Sequence, residues 1–364
     1  MNNSVKILVL GPLPLPTTGV SLANLVVVEQ LEKHPDYKVE VVNTSFSSFD
    51  EKLGAISLDK IIFYLKLQFF FLKVWRNDII YITPGQTFFG VVKYGLYVIL
   101  ASLLRKQIIQ HIHGNFLGTQ YHMLVGLKKS IFKFIMKKTD KGIVLSDSLK
   151  PNFTPFISEK KIYVLKNFVI DELFLPDKTL ESKNYQELRI VYLSNLMEEK
   201  GIFDLLEALK TLEQQNISYK AKIAGNIAPE NQERAQKYFD VLEHTEYLGV
   251  VNVPQKTELF TWSNTFVLPT YYTMEGQPIS ILEAMATGNL VITTPHAGIP
   301  DVFENGVNGY YVATEQPLTI VDRLEYIASH KEELQTIALH NAMQARKEYP
   351  VSKFIANLLV IVSA

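Results

Sequence analysis

Cysteine is absent from the 364-residue chain, and tryptophan occurs only twice. Without cysteine the chain has no disulfide framework, no cysteine-ligated zinc site and no thiol nucleophile. Long apolar runs are also scarce, because the longest, residues 88–104, is interrupted by Lys93 and falls short of the roughly 20 residues that span a bilayer. We therefore expect a buried helix there. The N-terminus lacks a basic leader and a cleavage site, so we expect no secretory signal.

The composition is that of an ordinary globular protein, with 47% hydrophobic and 20% charged residues, and its length suggests two domains. The net charge of −1 hides an asymmetry. Residues 1–165 contain 20 lysines and arginines against 11 acidic residues, whereas residues 166–364 contain 16 against 26. A basic half can favour an anionic membrane surface or a phosphorylated substrate, although complementary faces of two touching domains would explain the asymmetry as well.

Short β-rich runs alternate with longer segments of helical period, which favours parallel sheets with crossover helices. The predicted strands are 5–11, 37–44, 78–84, 107–114, 141–147 and 161–167, followed by 188–195, 219–225, 246–251, 265–270, 290–295 and 309–312. The predicted helices lie near 20–34, 58–76, 88–104 and 120–139, and then near 200–213, 229–243, 254–263, 277–287 and 317–349.

The polar segment 168–187 separates the two series, and we interpret it as a linker. The sequence thus predicts an α/β protein with two Rossmann-like domains, residues 1–167 and 188–345. We expect the C-terminal helix, 346–364, to pack back on the first domain. In such sheets functional residues lie where a strand becomes a loop.

The strongest local motif is Glu275-Gly-Gln-Pro-Ile-Ser-Ile-Leu-Glu283. Gly276 allows a close backbone approach, and Pro278 suits a first helical turn. Free amides at the positive helix end could hold a phosphate, and Glu283 could accept hydrogen bonds from two sugar hydroxyls. The alternatives are that Glu275 is a capping acid and that Glu283 is a solvated or ion-paired helix residue.

With residues 284–292 that follow it, this segment resembles the E-x7-E region of the GT4 family of retaining glycosyltransferases, which have the GT-B fold. Residues 192–201 resemble the family's E-K-G turn, 247–251 the segment that leads to the donor loop, and 298–309 the run after it. The resemblance implies two Rossmann-like domains whose parallel sheets face a central cleft, the first binding the acceptor and the second the nucleotide-sugar.

The resemblance also implies the roles of site residues. Lys200 and the amides of 276–279 would hold the donor diphosphate, Glu275 the transferred sugar, Glu283 the ribose hydroxyls and the backbone near Val251 the base. The predicted catalytic residues are His113, Lys200 and Glu275. The predicted donor-binding residues are Gly19, Asn195, Lys200, Val251, Glu275, Gly276, Gln277, Pro278, Ile279 and Glu283. Asn195 stands where the family has an arginine, and it brings no charge.

His113 and Gly19 come from strand ends of the first half. His111 and His113 alternate at the end of a predicted strand, so they share one face, with His113 at the carboxyl end. Gly19 opens a helix after a proline-rich loop, and its spacing from Gly11 differs from G-x-G-x-x-G, which disfavours a dinucleotide oxidoreductase. The alternatives are a core histidine whose hydrogen bonds are satisfied and a plain structural turn.

Aromatic residues concentrate in 61–76, with Lys66, Lys73 and Arg76 at the edge of the predicted helix, and five more lysines lie between 128 and 138. This segment could rest on a membrane or hold a lipid-linked acceptor. Packing against the first sheet explains the same pattern, and we favour it. No nucleic-acid reader motif accompanies the lysines.

We therefore predict a hexosyltransferase of the EC 2.4 class that moves a sugar from a nucleotide-sugar, a UDP-sugar first, to a glycan or lipid-linked glycan in surface polysaccharide biosynthesis. It would act in the cytoplasm or, in peripheral contact, at the inner face of the membrane. No His-x3-His or Asp-x-Asp motif occurs, so we expect no metal and no cofactor. The alternatives are a sugar-nucleotide epimerase of the same architecture and a non-catalytic nucleotide-sugar-binding partner protein.

Overall fold

The computed structural model describes residues 4–15, 18–46 and 58–363. It divides the chain into two compact units. The N-terminal unit comprises Met1–Asn167, Met274–Gln277 and Phe354–Ala364, and the C-terminal unit comprises Phe168–Thr273 and Pro278–Lys353. Residues 16 and 17 of the proline-rich loop lie outside the described residues.

Six parallel strands form the sheet of the N-terminal unit, in the order β2-β1-β3-β4-β5-β6. The strands are β1 (Val5–Gly11), β2 (Tyr37–Asn43), β3 (Ile79–Ile82), β4 (Gln107–His111), β5 (Lys141–Val144) and β6 (Ile162–Val164). Its helices are α1 (Gly19–Lys33), α2 (Leu58–Gln68), α3 (Phe88–Val92), α4 (Gly95–Leu103), α5 (Leu117–Met123) and α6 (Gly126–Met136). Every residue of β3 is buried, as expected for a parallel strand covered on both faces.

The C-terminal unit repeats this plan with the order β12-β11-β10-β7-β8-β9, again all parallel. The strands are β7 (Arg189–Leu193), β8 (Lys220–Ala224), β9 (Thr245–Tyr247), β10 (Thr265–Leu268), β11 (Leu290–Thr293) and β12 (Gly309–Tyr311). Its helices are α7 (Asp177–Glu181), α8 (Ile202–Gln214), α9 (Gln232–Phe239), α10 (Val253–Trp262), α11 (Ile279–Ala286), α12 (Pro317–Ser329) and α13 (Lys331–Glu348). The final helix is α14 (Val351–Ser363).

The prediction of an α/β protein with two parallel sheets is confirmed. Each predicted strand contains an observed one except 246–251, because β9 begins one residue earlier, at Thr245.

Several predicted helices were wrong in continuity. Residues 88–104 form two helices, because α3 ends at Val92 and α4 begins at Gly95. Residues 120–139 fall in two helices, because α5 ends at Met123 and α6 begins at Gly126. Residues 317–349 form two helices separated at His330, whose backbone leaves the helical region. The segment 58–76 is α2 followed by a 3-10 helix, Phe69–Arg76.

Two helix starts relevant to the site are capped by side chains. The Thr18 hydroxyl accepts a hydrogen bond from the Ser21 amide at the start of α1. At the start of α10, the Asn252 side chain accepts from the Gln255 amide, and the Gln255 side chain in return accepts from the Asn252 amide. Such reciprocal caps satisfy two amides that the helix itself leaves unpaired.

The end of the chain is held by a buried lysine of the N-terminal unit. The Lys141 ammonium donates to the Ile361 carbonyl at 2.7 Å and to the Val362 carbonyl at 3.3 Å. These carbonyls belong to the last turn of α14, which has no partners for them within the helix. The ammonium therefore donates to both carbonyls, and its positive charge is favourable at the negative end of the helix dipole.

Candidate active site

The loop after β4 carries His113. β4 ends at His111, so His113 lies two residues beyond the strand. The two imidazole ring centroids are 4.0 Å apart, and Nδ1 of His111 is 2.6 Å from the Tyr81 hydroxyl. Burial lowers the pKa of His113 to about 4 and also lowers the pKa of His111, so both rings are neutral near pH 7.

A buried atom of His113 lacks a partner. Its Nε2 is enclosed and makes no hydrogen bond to any residue that the structure describes. Buried polar atoms are normally satisfied by protein or water, so an unmet one at a strand end calls for an explanation. A bound ligand that donates to or accepts from this nitrogen would provide one.

The segment Met274–Gln277 packs against this loop. A Cβ at Gly276 would lie 2.4 Å from the His113 carbonyl oxygen, so a larger residue requires the backbone to move. The Gln86 amide nitrogen donates to the Met274 carbonyl at 3.0 Å, and its oxygen accepts from the Phe116 amide at 2.5 Å. Gln86 thus fastens the segment that contains Glu275 to the loop after β4.

The side chain of Gln277 is used inside the N-terminal unit. Its oxygen accepts from the Asn167 amide at 2.7 Å, its nitrogen donates to the Leu145 carbonyl at 3.2 Å, and the Asn167 side chain donates to the Gln277 carbonyl at 2.7 Å. Both side chains are buried. These bonds hold the neighbouring Glu275, itself only 8% exposed, in a fixed loop. The donor-binding role of Gln277 stays a prediction.

In the C-terminal unit, Lys200 ends a short 3-10 helix that is packed against the end of β10. Gly201 has φ +74°, and a Cβ on it would lie 2.4 Å from the Pro269 carbonyl oxygen, so the turn requires glycine. The Tyr271 amide donates to the Glu199 carbonyl at 2.8 Å. The Lys200 ammonium lies 4.8 Å from the centroid of the Tyr272 ring, within reach of a cation–π interaction.

Glu283 lies in α11 with its side chain only 3% exposed, and it is ion-paired. The Lys256 ammonium, from α10, is 2.6 Å from Oε1 of Glu283, and its own side chain is 15% exposed. A buried carboxylate requires such a partner. The ion-paired alternative for Glu283 is therefore what the structure contains, and a role toward a ribose would use the oxygen that Lys256 does not hold.

The other predicted residues lie near the starts of helices. Gly19 is the first residue of α1 and is exposed. Val251 is half-buried and lies two residues before α10, and Asn195 is exposed after β7. Pro278 was expected within the first turn of its helix, but it caps α11, which begins at Ile279. Its extended backbone places it just outside the helical hydrogen-bond pattern.

Sequence reasoning missed Gln86 and Lys256. The only sequence signal for Gln86 is its place just after a predicted strand, at Pro84-Gly-Gln86. For Lys256 the sequence offers one signal. Glu283 lies in an apolar helix, and a buried carboxylate there needs a cation as its partner. Neither signal identifies the partner.

Within the described part of the chain, no group of three or more histidine or acidic side chains could hold a metal ion. A metal-independent reaction stays a prediction.

Two six-stranded parallel sheets with crossover helices make this a protein of the GT-B fold. Over 99% of this chain and 100% of the other, it superimposes on HepE of Anabaena, solved in complex with UDP and glucose, with a TM-score of 0.74 and 16% identity. Residues 177–343 match the family described as glycosyl transferases group 1. The chain is thus similar to that family over residues 177–343, slightly less than half of its length.

Two curated relatives are similar along part of their length. The chain is 27% identical over 210 residues to the capsular polysaccharide biosynthesis glycosyltransferase CapM of Staphylococcus aureus, covering 55% of this chain and 54% of CapM. It is 30% identical over 156 residues to the amylovoran biosynthesis glycosyltransferase AmsK of Erwinia amylovora, covering 42% of this chain and 38% of AmsK. The chain thus spans about half the length of these relatives, or less.

Proposed function

We propose that this protein is a retaining glycosyltransferase that moves a sugar from a nucleotide-sugar donor to a glycan or lipid-linked glycan acceptor. The observation that carries the proposal is the match of residues 177–343 to glycosyl transferases group 1. The GT-B fold and the Glu275–Glu283 segment support it.

Lys200 and the start of α11 are the groups proposed to stabilise the leaving diphosphate. Breaking the bond from the anomeric carbon to phosphate builds negative charge on the diphosphate. A fixed ammonium and a helix N-terminus stabilise this charge more in the transition state than in the ground state. Because Asn195 is uncharged, Lys200 would supply most of the positive side-chain charge that faces the diphosphate. The Tyr272 ring, 4.8 Å from the ammonium, restricts where that charge can lie.

Glu275 and His113 are the groups proposed to contact the transferred sugar. Glu275 would accept hydrogen bonds from sugar hydroxyls, and the unmet Nε2 of His113 would gain its partner from the substrate. A neutral imidazole suits this task because it does not repel the positive charge that develops on the sugar. Same-face attack, in which the leaving phosphate takes the acceptor proton, would retain the anomeric configuration.

The choice of donor and acceptor is also a proposal. HepE was solved with UDP and glucose, which supports testing UDP-sugars first. CapM and AmsK are named for capsular polysaccharide and amylovoran biosynthesis, which supports a surface polysaccharide intermediate as the acceptor. A lipid-linked intermediate is held in a membrane, so we propose that the enzyme works at its cytoplasmic face, with peripheral contact through the basic N-terminal unit.

A thermal-shift screen of UDP-, GDP-, ADP- and CMP-sugars, followed by a transfer assay with lipid-linked acceptors, tests this function. We expect one nucleotide class to raise the melting temperature, because a ligand at about 100 times its Kd stabilises the native state by about 2.7 kcal/mol. That donor should then label an acceptor. Conversion of the donor without acceptor would identify an epimerase instead. If the protein binds a nucleotide-sugar but transfers the sugar to none of the acceptors, it is a non-catalytic nucleotide-sugar-binding protein.

A further inference from the structure

Three helical segments cover one face of the N-terminal sheet. The segments are 58–76, 88–103 and 126–136, and they connect β2 to β3, β3 to β4 and β4 to β5. In the strand order β2-β1-β3-β4-β5-β6 all three connections run in the same direction across the sheet. Right-handed crossovers therefore put them on the same side, opposite to α1.

Contacts between the three segments make them one continuous layer. The Gln68 side chain donates to the Lys93 carbonyl at 3.0 Å, which joins the first segment to the second. The Lys138 ammonium, just beyond the third segment, donates to the Ser102 hydroxyl at 3.1 Å. The inward side chains of this layer, such as Val74, Val98 and Phe132, are fully buried.

The outward side of the first segment is also apolar. Phe69, Leu72 and Trp75 are 80%, 61% and 66% exposed. They are spaced three apart in a 3-10 helix of three residues per turn, so they form one line. Ile62 and Leu65 extend this line along α2 and are exposed as well. We expected packing against the sheet to account for this segment, and for these side chains that expectation was wrong.

The other two segments continue the same surface. Exposed apolar side chains lie seven residues apart in both segments. They are Phe89 of α3 with Leu96 and Leu103 of α4, and Leu127 with Phe134 of α6. Most of the exposed large hydrophobic side chains of the described residues lie between 62 and 134. Isolated exposed apolar residues are ordinary, whereas a concentration of them marks an interaction surface.

The charge around this surface is mostly positive. Between residues 58 and 140 the sequence has twelve lysines and arginines and three acidic residues, Asp59, Asp78 and Asp140. Lys66, Arg76, Lys128 and Lys137 are exposed. The Lys138 ammonium lies 4.7 Å from the centroid of the Phe134 ring, so charge and apolar surface are adjacent. A protein partner would need matching acidic and apolar groups, whereas an anionic bilayer presents negative headgroups above hydrocarbon everywhere.

We propose that the outward side of segments 58–76, 88–103 and 126–136, the apolar–basic face, docks on the surface of an anionic lipid bilayer. Phe69, Leu72 and Trp75 enter the headgroup boundary, where aromatic side chains are favoured, and the lysines contact the anionic headgroups. None of the described helices combines the length and the hydrophobicity of a membrane span. The proposal names the surface for the membrane contact proposed above, and it does not depend on glycosyl transfer.

Vesicle co-sedimentation tests the proposal. The full chain is mixed with vesicles of phosphatidylcholine alone or with about one third phosphatidylglycerol. We expect binding to the anionic vesicles only. Phe69→Ser/Leu72→Ser/Trp75→Ser should weaken it about tenfold or more, since three insertion contacts are lost. The matched control, Val241→Ser/Leu318→Ser/Met343→Ser, removes similarly exposed apolar groups from the C-terminal unit and should bind like the wild type.

A charge variant tests the face independently of the apolar side chains. Lys128→Glu/Lys133→Glu/Lys137→Glu should abolish binding to anionic vesicles at low salt. In a chain with Trp262→Phe, the fluorescence of Trp75 should shift to the blue with anionic vesicles. All variants should keep the wild-type circular dichroism and their transfer to a water-soluble acceptor, which separates this proposal from the proposed function.

Either of two results would overturn the proposal. One is that the wild type does not bind anionic vesicles; if it is then dimeric and the apolar variant monomeric, the face is a contact between two copies of the chain. The other is that the apolar variant binds anionic vesicles as tightly as the wild type.

Discussion

Glu275 and Glu283 belong to one short motif, but they lie in different units and in different surroundings. Glu283 is part of a regular helix, and its charge is balanced by Lys256 at 2.6 Å. Glu275 is in a loop that packs with the N-terminal unit, beside a glycine that approaches the His113 carbonyl. The C-terminal groups are thus held by an ion pair and a tight turn, whereas the N-terminal loop contains a histidine with an unmet nitrogen. Changes at Lys256 and Gly201 should reduce stability, whereas changes at Glu275 and Lys200, the groups proposed to contact the donor, should reduce activity.

The largest expected effect is on glycosyl transfer. Glu275→Ala and Lys200→Ala should each lower kcat/KM by about 10²–10³-fold, the range for losing one group that stabilises developing charge. Lys210→Ala, at a half-buried lysine of α8 that pairs with Glu207, is the control and should keep full activity. Circular dichroism and the melting temperature check that the variants fold. Near-normal turnover of both site variants would refute the assigned roles.

Lys256→Met should reduce stability more than any other single change considered. It leaves the carboxylate of Glu283 buried without a cation, and breaking a buried pair in this way costs about 3–5 kcal/mol. Urea unfolding measures the loss. The double variant Lys256→Met/Glu283→Gln should regain much of it, because the unpaired charge is gone. No recovery in the double variant would mean that Lys256 acts through packing alone.

Gly201→Ala should destabilise the C-terminal unit by about 1–3 kcal/mol, since the turn is left-handed and the added Cβ meets the Pro269 carbonyl at 2.4 Å. Gly249→Ala is a matched control, because Gly249 has φ +69° but a Cβ added there would meet open space. Only the cost of holding alanine in a left-handed backbone conformation, about 1 kcal/mol, then remains. Differential scanning calorimetry compares the two. Equal losses would show that the contact with Pro269 relaxes freely.

The smallest expected effect is on the pH dependence of stability. Burial lowers the pKa of His113 to about 4, below its value in the unfolded chain. Between about pH 6.5 and pH 4 the unfolded state therefore binds more protons, and the native state loses stability as the pH falls. The free energy of unfolding of the wild type should therefore fall between pH 7 and pH 5, and His113→Gln should make that fall smaller by about 1–2 kcal/mol. An unchanged difference in urea midpoints between these pH values would show that His113 is not desolvated.

The parallel sheets were predictable because each strand is a short apolar run between polar or glycine-containing segments. The run 5–11 is an example, and β1 has the same bounds. Lys200, Glu275 and Glu283 could be named because they lie in local motifs. Gln86 could not, because its contact with Met274 joins residues 188 positions apart. Periodicity also failed for 61–76, since the segment is apolar on both its inner and its outer side, and only the fold decides which side faces water.

The central claim is that this chain transfers a sugar with retention of configuration. The most direct test is proton NMR of the anomeric signal during a reaction with the donor selected by thermal shift and a purified acceptor. We predict that the acceptor gains one sugar with the same anomeric configuration as in the donor. An inverted product would contradict retention, and a donor that is bound but never transferred would contradict the assignment as a transferase.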